Sequence, residues 1–241
     1  MFQRKKISER DDRLLREKFG CGTEYDAARK RYEIGEPLAY ILGEWYFYGE
    51  VYKVSCDCLI PQPDTEHLVD KLIKLLPANG RFADLCTGSG CIAISSLAHR
   101  KDSSAVAVDI SDGALRLARE NAGINGVSER LELKKADILK QSALGDDTFD
   151  IIVSNPPYIK TDVIKTLDSE VRAEPLIALD GGRDGLDFYR AIIGRYSKNV
   201  KKGGYMILEI GYDQAGDIKK LCDCEIFKDY GGNDRVAVIR L

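Results

Sequence analysis

No apolar stretch of the 241-residue sequence approaches the roughly 20 residues that a bilayer-spanning helix needs. The first residues, MFQRKKISERDD, include basic side chains but no apolar segment of the kind that secretory signals contain. With 44% hydrophobic and 31% charged residues, the composition is ordinary for a globular chain that can bury a full core. We therefore expect a cytoplasmic protein without a membrane partner.

Metal-ligand spacing is also missing. Histidine occurs only at positions 67 and 99, and none of the seven cysteines forms the C-x-x-C pair of structural zinc sites. Two C-x-C pairs are present, but residues two apart share one face of a strand, so small buried side chains explain them. The sequence predicts no metal site and reduced thiols throughout.

A glycine-rich loop is present, but it lacks the features of a phosphate-binding loop. In DLCTGSGCIAI, residues 84–94, Gly88 and Gly90 allow a tight turn and a close approach of the backbone to a ligand. The third glycine of a dinucleotide-binding loop is replaced by Ala93, and no G-K-[ST] follows. Nucleoside triphosphates and dinucleotides are therefore disfavoured ligands.

The chain has a slight excess of acidic residues, and its charged residues are unevenly distributed along the sequence. The net charge is −3 and the isoelectric point about 5.6, which argues against a non-specific nucleic-acid binder. Residues 1–35 carry ten basic against seven acidic side chains, so this segment is basic. Two explanations of this basic excess are open: a solvated helix face, or contact with an acidic or RNA-associated partner. We expect no direct, sequence-specific binding of nucleic acid.

The order of predicted elements indicates an α/β fold. Residues 7–33 read as helical with a break at FGCG, and residues 37–63 form an aromatic, β-rich stretch with a hairpin turn at Gly49-Glu50. An amphipathic helix over residues 64–76 follows, and from residue 81 strands and helices alternate. Such alternation predicts a parallel sheet with helices on both faces. The short GGND link before the last strand predicts a hairpin, so the last strand should be antiparallel.

Acidic residues end three consecutive predicted strands. They are Asp84, Asp109 and Asp137. Ligands of such sheets bind at the carboxyl ends of the strands, where Asp109 could hold both ribose hydroxyls and Asp137 an adenine amino group. A carboxylate at position 84 would repel phosphates. These residues describe a pocket for adenosine with an amino-acid tail and no phosphates, which is S-adenosylmethionine (SAM). The predicted SAM contacts are Asp84, Cys86, Thr87, Gly88, Ser89, Gly90, Asp109, Asp137, Ile138 and Asn155.

The fourth strand of this series ends in FDIIVSNPPYI, residues 149–159. Neither proline has an N–H, so the strand stops and the tip offers acceptors, namely the side-chain oxygen of Asn155 and the carbonyl of Pro156. Two acceptors suit an –NH₂ group, and Tyr158 could pack on a flat amide or base. We predict N-methylation of a planar –NH₂, with Asn155, Pro156 and Tyr158 as catalytic residues. Adenine, cytosine and glutamine all remain candidate substrates on this reasoning.

A series of motifs from residue 36 to the end resembles the HemK/PrmC family of protein-(glutamine-N5) methyltransferases. The motifs are EPLAYILGEWYFYGEVYKV, LIPQPDTE, DLCTGSGCIAI, FDIIVSNPPYI, ALDGGRDGLDFYR and EIGYDQ, in the family's order. NPPY is shared with DNA amino-methyltransferases, whereas the LIPQPDTE loop and the ALDGGRDGLDFYR block are more specific. Gln62 stands where the family usually has arginine. The segment before the hairpin is shorter than the helical domain usual in the family.

The resemblance implies a class I SAM-dependent methyltransferase fold, a Rossmann-like, mostly parallel seven-stranded sheet with an antiparallel last strand. It implies methyl transfer from SAM to the glutamine of the Gly-Gly-Gln motif in class I peptide chain release factors. Residues 1–35 would form a short helical docking segment, 36–63 a β-hairpin linker and 64–241 the methyltransferase domain. Substrate contacts would come from Asn155, Pro156, Pro157, Tyr158, Thr65 and Glu66. The alternatives are a ribosomal-protein glutamine methyltransferase and a DNA or RNA amino-methyltransferase.

Overall fold

The structure, a computed structural model, describes residues 5–241. The α-helices are α1 (Glu9–Phe19), α2 (Thr23–Glu33), α3 (Leu38–Leu42), α4 (Glu66–Leu75), α5 (Cys91–His99), α6 (Asp112–Ile124), α7 (Ser169–Arg172), α8 (Leu176–Leu179), α9 (Asp187–Tyr196) and α10 (Ala215–Leu221). The strands are β1 (Glu44–Phe47), β2 (Glu50–Lys53), β3 (Arg81–Leu85), β4 (Ser104–Asp109), β5 (Leu131–Lys135), β6 (Phe149–Ser154), β7 (Val200–Glu209), β8 (Glu225–Lys228) and β9 (Asp234–Arg240). Short 3₁₀ turns lie at Pro63–Thr65, Ser128–Arg130, Ile164–Thr166 and Ser197–Asn199.

Seven strands form one sheet in the order β5-β4-β3-β6-β7-β9-β8. The first five are parallel, and β9 runs antiparallel to both of its neighbours, β7 and β8. The predicted α/β fold with an antiparallel last strand is therefore confirmed. Because the parallel strands share one direction, the residues that follow β3, β4, β5 and β6 meet along a single edge.

Both faces of the sheet are buried, and successive side chains along each strand point to opposite faces. On β3, Phe82 faces a core shared with α4, α5 and α6, whereas Ala83 and Leu85 face a core shared with α9 and α10. This double coverage fixes the register of each central strand, since a slip by one residue would exchange the two faces. The edge that carries the acidic residues is thereby held rigidly.

The N-terminal helices have a small core of their own. Leu15, Tyr25, Ala28, Tyr32 and Ile41 form a buried cluster that is separate from the two cores of the sheet. Helix α1 begins at Ser8, whose hydroxyl accepts a hydrogen bond from the backbone N–H of Asp11, and ends at Gly20. The predicted break at FGCG, between α1 and α2, is confirmed.

Two predictions for residues 37–63 are wrong in detail. Residues 38–42 form helix α3 and not β structure, because Pro37 precedes the helix and Gly43 ends it in a left-handed conformation. The hairpin turn is Tyr48-Gly49, one residue earlier than predicted, since Phe47 pairs with Glu50. Both turn residues have positive φ, 53° and 92°, as the favoured two-residue hairpin turn requires.

The hairpin is tied to the glycine-rich loop by one buried side chain. Asn121 on α6 is fully buried and bonds both the N–H and the carbonyl of Lys53, at 2.7 and 3.1 Å. Its amide also donates to the carbonyl of Ser89 at 2.9 Å. The stretch after β2 is therefore held beside the carboxyl edge of the sheet. Across residues 5–241, no helix is long and apolar enough to cross a membrane.

Candidate active site

A large cavity lies at the carboxyl edge of the parallel strands. It has a volume of about 390 Å³, within the usual range of small-molecule sites. Its walls come from the ends of β3, β4, β5 and β6, from the loop before α4, and from the segment that leads into α9. The lining segments are 57–62, 86–89, 108–111, 136–140 and 177–178, with Thr65, Asn155, Pro157 and Phe188 among further residues.

The glycine-rich loop turns sharply between β3 and α5. Cys86, Gly88 and Gly90 all have positive φ, at 61°, 56° and 83°. A Cβ at position 90 would stand 2.7 Å from Ile94 Cδ1, so only glycine allows the helix to pack this closely. Position 88 has open space in front of it, with only Cys58 Cβ at 4.0 Å. The loop backbone is therefore open to a ligand at Gly88 and closed at Gly90.

Asp84 lies beneath this loop and not in the cavity. Its carboxylate is fully buried and accepts a hydrogen bond from the Thr87 hydroxyl at 2.6 Å. Burial raises the pKa of Asp84 to about 7, and the bond from Thr87 lowers it in part. The structure thus puts Asp84 in contact with the loop it supports, whereas residues 86–89 of the predicted SAM contacts line the cavity.

Asp109 lines the cavity with hydrogen-bonding capacity to spare. Its Oδ2 accepts the N–H of Gly88 at 2.8 Å and its Oδ1 the N–H of Ser111 at 2.9 Å. Burial raises the pKa of Asp109, and these two bonds oppose that shift. A carboxylate accepts about four hydrogen bonds, so about two positions remain for ligand hydroxyls. This geometry fits the two hydroxyls of a ribose.

Asp137 and Ile138 line the next part of the wall. Asp137 Oδ1 accepts the N–H of Leu139 at 3.0 Å, and Oδ2 pairs with Lys140 Nζ at 3.0 Å. The bond to Lys140 is the main cause that lowers the pKa of Asp137. Ile138 is buried and offers an apolar surface for a flat ring. No side chain in loop residues 86–90 is basic, so this loop suits an adenosine without phosphates better than a polyphosphate.

The tip of β6 reaches the same cavity. Asn155 Nδ2 donates to Thr65 Oγ1 at 3.1 Å, and Thr65 lies in the 3₁₀ turn before α4, ninety residues earlier in the chain. Thr65 is 2% exposed, so this contact is shielded from water. Because the amide NH₂ is engaged there, Asn155 Oδ1 is left as the free acceptor of the side chain.

A second cavity of about 230 Å³ adjoins the first at this tip. Asn155, Leu59, Gln62 and Ala178 line both cavities. The second is also lined by Pro156, Tyr158, Asp64, Glu174, Glu209 and Arg235. Asn155 therefore stands at the junction of a large cavity and a smaller one, as a group that joins two reactants must.

Tyr158 packs inside the second cavity and is held by a buried acid. Its hydroxyl donates to Glu209 Oε1 at 3.4 Å, and Gln214 Nε2 donates to its backbone carbonyl at 3.0 Å. Burial raises the pKa of the Tyr158 hydroxyl, so the ring stays neutral. Glu209 is 2% exposed, and burial raises its pKa to about 7.

Glu66 is the predicted substrate residue that the structure brings to neither cavity. Its Oε1 accepts the N–H of Tyr48 at 2.9 Å, so it anchors the hairpin turn. Pro157 lines the large cavity, and Gln62 folds its amide back onto the carbonyl of Ile60 at 3.0 Å. Thr65, the residue before Glu66, does line the large cavity.

Sequence reasoning missed Glu174 and Glu209. Glu174 is buried and accepts the N–H of Ile60 at 2.8 Å, which ties the loop before α4 to the segment between β6 and α9. Burial raises the pKa of Glu174 to about 7. Glu209 stands in the EIGYDQ motif, and Glu174 lies four residues before the ALDGGRDGLDFYR block, but the residues that each contacts are distant in sequence.

Three thiols, Cys58, Cys86 and Cys91, line the large cavity. Burial raises the pKa of each thiol, so they are small apolar groups there and not nucleophiles. Over residues 5–241, no group of three or more histidine, cysteine or acidic side chains is arranged to hold a metal ion.

Comparison with known proteins gives a consistent assignment. The model of the family "Methyltransferase small domain" matches residues 62–171. Release factor glutamine methyltransferase of Agrobacterium fabrum is 41% identical over 219 residues, which cover 86% of this chain and 75% of that protein. The protein of the same name from Aquifex aeolicus is 37% identical over 211 residues, covering 85% and 74%.

Solved structures agree on the fold. A methyltransferase from Pyrococcus furiosus superposes with a TM-score of 0.59 at 18% identity, over 78% of this chain and 87% of that one. At this identity the likeness concerns the fold alone. The sheet order and the cavity at its carboxyl edge agree with the two sequence relatives. The chain therefore belongs to the release factor glutamine methyltransferase family, enzymes that use SAM as methyl donor.

Proposed function

We propose that the protein transfers a methyl group from SAM to the side-chain amide nitrogen, N5, of the glutamine in the Gly-Gly-Gln motif of a class I peptide chain release factor. The observation that carries this proposal is the position of Asn155, which lines both the large cavity and the second cavity. In this proposal, one side chain would meet the methyl donor on one side and the substrate amide on the other.

The large cavity is the proposed SAM site. Loop residues 86–89 would run along the amino-acid tail, Asp109 would accept the ribose hydroxyls, and Asp137 and Ile138 would border the adenine. SAM, when bound, supplies a methyl group on a sulfonium. The buried carboxylate of Asp109 is already fixed by two backbone N–H groups, so it needs no rearrangement to accept the ribose.

The second cavity is the proposed glutamine site. Asn155 Oδ1 and the carbonyl of Pro156 would each accept one hydrogen of the substrate –NH₂, and Tyr158 would pack on its plane. An amide nitrogen is a weak nucleophile because its lone pair is delocalised. Holding both hydrogens favours a pyramidal nitrogen whose lone pair points at the methyl group. Orientation and preorganised acceptors of this kind supply several kcal/mol of a barrier.

Asn155 works in this scheme by position and polarity, not as a base, because an amide side chain takes no proton at neutral pH. The new N–C bond would form as the methyl–sulfur bond breaks, which would leave the sulfur as a neutral thioether. The nitrogen then sheds one of its two protons to water, which restores a neutral amide. No deprotonation has to precede attack.

Charge favours a protein substrate over a nucleic acid. The second cavity has three acidic side chains, Asp64, Glu174 and Glu209, against the single basic group of Arg235. Arg235 is itself paired with Asp64 and Asp229, so the lining offers no unpaired basic group to a phosphate backbone at the point where a flipped base would enter. A glutamine in a ribosomal protein would meet the same chemistry. The second cavity therefore does not distinguish a release factor from a ribosomal protein, and contacts with the rest of the partner protein must do so.

We place the reaction in the cytoplasm, where release factors act on ribosomes, and assign the release factor's docking to residues 1–35. This segment is basic, and its buried cluster is separate from the cores of the sheet. The name that both relatives share, release factor glutamine methyltransferase, supports a release factor as the partner.

The test is methyl transfer from radiolabelled SAM to a purified class I release factor. We expect label in the wild-type release factor and none in a variant whose Gly-Gly-Gln glutamine is replaced by alanine. A ribosomal protein extract and a DNA duplex serve as competing acceptors. Label in either of these, with none in the release factor, would reject the proposed substrate.

A further inference from the structure

Glu174 has a buried carboxylate whose two oxygens differ in their surroundings. Oε2 accepts the backbone N–H of Ile60 at 2.8 Å. Within residues 5–241, no other hydrogen bond and no basic side chain reaches this carboxylate. Oε1 is nevertheless not one of the buried side-chain atoms that lack both a partner and contact with open space. It therefore faces the second cavity, which Glu174 lines although the residue is only 9% exposed.

The other two acids of this cavity are differently placed. Asp64 pairs with Arg235 Nη2 at 3.1 Å, and Glu209 Oε1 accepts from the Tyr158 hydroxyl at 3.4 Å. Glu209 Oε2 is closed off from open space. Among the described residues of the lining, Glu174 is thus the acid that has an accessible oxygen and no cation beside it. A largely buried acceptor without a partner is costly, so a ligand that brings a donor to it is favoured.

We propose that Glu174 is a substrate-binding residue whose Oε1 accepts a hydrogen bond from a main-chain N–H of the peptide segment that carries the target glutamine. This inference rests on the proposed function, because it takes the second cavity as the glutamine site. It gives the cavity a contact with the substrate main chain in addition to those with the side-chain amide.

The kind of donor follows by elimination within the proposed complex. Both hydrogens of the substrate –NH₂ are held by Asn155 Oδ1 and the carbonyl of Pro156. In a Gly-Gly-Gln segment the remaining donors are main-chain N–H groups, because glycine has no side chain. That absence also allows the main chain to approach the cavity wall closely. An acceptor at this point therefore favours a glycine-flanked peptide.

The second oxygen of Glu174 gives the design of a clean variant. Through Ile60 it holds the loop of residues 57–62, and Leu59 and Gln62 of this loop line both cavities. In Glu174→Gln the single amide oxygen can still accept the N–H of Ile60, which leaves an NH₂ group towards the cavity. In Glu174→Ala both contacts are lost. The two variants thus separate substrate binding from support of the loop.

The first test compares these variants in steady-state methylation of a class I release factor. Glu174→Gln should raise the KM for the release factor by about tenfold or more, as expected when a bond to a charged acceptor is lost, while kcat falls by less than about threefold. The Kd of SAM should stay as in wild type. In Glu174→Ala it should rise, since residues 57–62 also line the large cavity. An unchanged KM in Glu174→Gln, or a loss confined to kcat, would overturn the proposal.

The second test removes the donor from the substrate. Two semisynthetic release factors carry an ester in place of a peptide N–H, one at the target glutamine and one at the glycine before it. With wild-type enzyme, at least one ester should lower kcat/KM by about tenfold. The same ester should lower it by less than about twofold with Glu174→Gln, because the bond is already absent. Two esters without effect, or effects that multiply in the combination, would contradict the contact.

Asp162→Asn is the matched control for net charge near the site. Asp162 is exposed, lies on the same segment between β6 and α9, and lines neither cavity. Its substitution should leave the KM within about twofold of wild type. A rise as large as that in Glu174→Gln would reduce the effect to long-range charge and overturn the inference. If wild-type protein methylates no release factor, the proposed function fails and this inference with it. If it does, and Glu174→Gln behaves as wild type, only the role of Glu174 fails.

Discussion

At the scale of single residues, the account depends most on Asn155. Asn155→Ala would remove one of the two acceptors that we propose for the substrate –NH₂, and the lost bond would be one that strengthens as the nitrogen pyramidalises. We expect kcat to fall more than KM rises, by about tenfold or more, which corresponds to ~1.4 kcal/mol for each tenfold. Steady-state kinetics on a release factor at saturating SAM measure this. Full activity in the alanine variant would remove Asn155 from the mechanism.

The aspartate at the same position gives a sharper version of the test. In Asn155→Asp the carboxylate still accepts, but its negative charge stabilises the sulfonium of the ground state more than the transition state, where that charge disappears. SAM should bind at least as tightly as to wild type, while turnover falls by about an order of magnitude or more. Weaker SAM binding in this variant would contradict the assigned position of the sulfonium.

Asp109 allows a separate test of the SAM site. Asp109→Asn replaces one acceptor oxygen by a donor and removes the charge that the ribose hydroxyls would meet. Hydrogen bonds to charged groups contribute about 1.5–3 kcal/mol, so we expect the Kd of SAM to rise by roughly tenfold to a hundredfold. Calorimetry measures it. Asp112→Asn is the control, since Asp112 is an exposed neighbour paired with Lys135; equal effects in both variants would point to net charge and not to the ribose contact.

At the scale of elements, the helices α1 to α3 are the part of the fold with a core of their own. Leu15→Ala empties the centre of that cluster, and burying alanine in place of leucine costs about 2–5 kcal/mol locally. We expect the KM for an intact release factor to rise while the Kd of SAM stays as in wild type. Leu14→Ala, at the partly exposed neighbouring position, should change neither. Loss of SAM binding in Leu15→Ala would mean that these helices support the catalytic fold.

The sequence predicted those elements whose pattern is local. Helix α6 shows how local such a pattern is: the Ser111 hydroxyl caps its first turn by accepting the N–H of Ala114 at 3.2 Å. Alternation from residue 81 was sufficient to predict the parallel sheet, the strand end at Asp109 and, within one residue, the end of β6 before Asn155. Helix α3 was not predicted because five residues are too few to show the helical spacing of apolar side chains. Its side chains are buried by tertiary contacts, which the local sequence does not reveal.

Contacts between residues that are far apart in the sequence could not be predicted from local sequence patterns. Nothing in the sequence near Asn155 points to Thr65, which lies ninety residues earlier, or to Glu209, which enters from another strand. Asp84 likewise looked like a ligand contact because it ends a strand. Only the turn of the loop above it, with Cys86 at a positive φ, shows that its carboxylate bonds Thr87 and stays beneath the cavity.

At the scale of the whole molecule, three buried acids predict how stability depends on pH. Burial raises the pKa of Asp84, Glu174 and Glu209 to about 7, above the values of unfolded acids near 4. The folded state therefore holds more protons than the unfolded state between these values. The free energy of unfolding is highest below about pH 4 as far as these groups are concerned, and it falls as pH rises through 7.

Urea unfolding at several pH values between 5 and 7 measures this. Each carboxyl contributes a slope of up to about 1.4 kcal/mol per pH unit, and Glu209→Gln should make the decline shallower by one such share. A free energy of unfolding that rises over this window, or a slope unchanged in Glu209→Gln, would contradict the protonated state assigned to these acids.

The central claim concerns one atom of one substrate. Incubation of the protein with SAM and a class I release factor, followed by tandem mass spectrometry of the peptide that contains Gly-Gly-Gln, tests it most directly. The account predicts one added methyl group on the glutamine side chain with wild-type protein, and almost none with Asn155→Ala over the same time. A release factor peptide that stays unmodified, or a methyl group on any other residue, would contradict it.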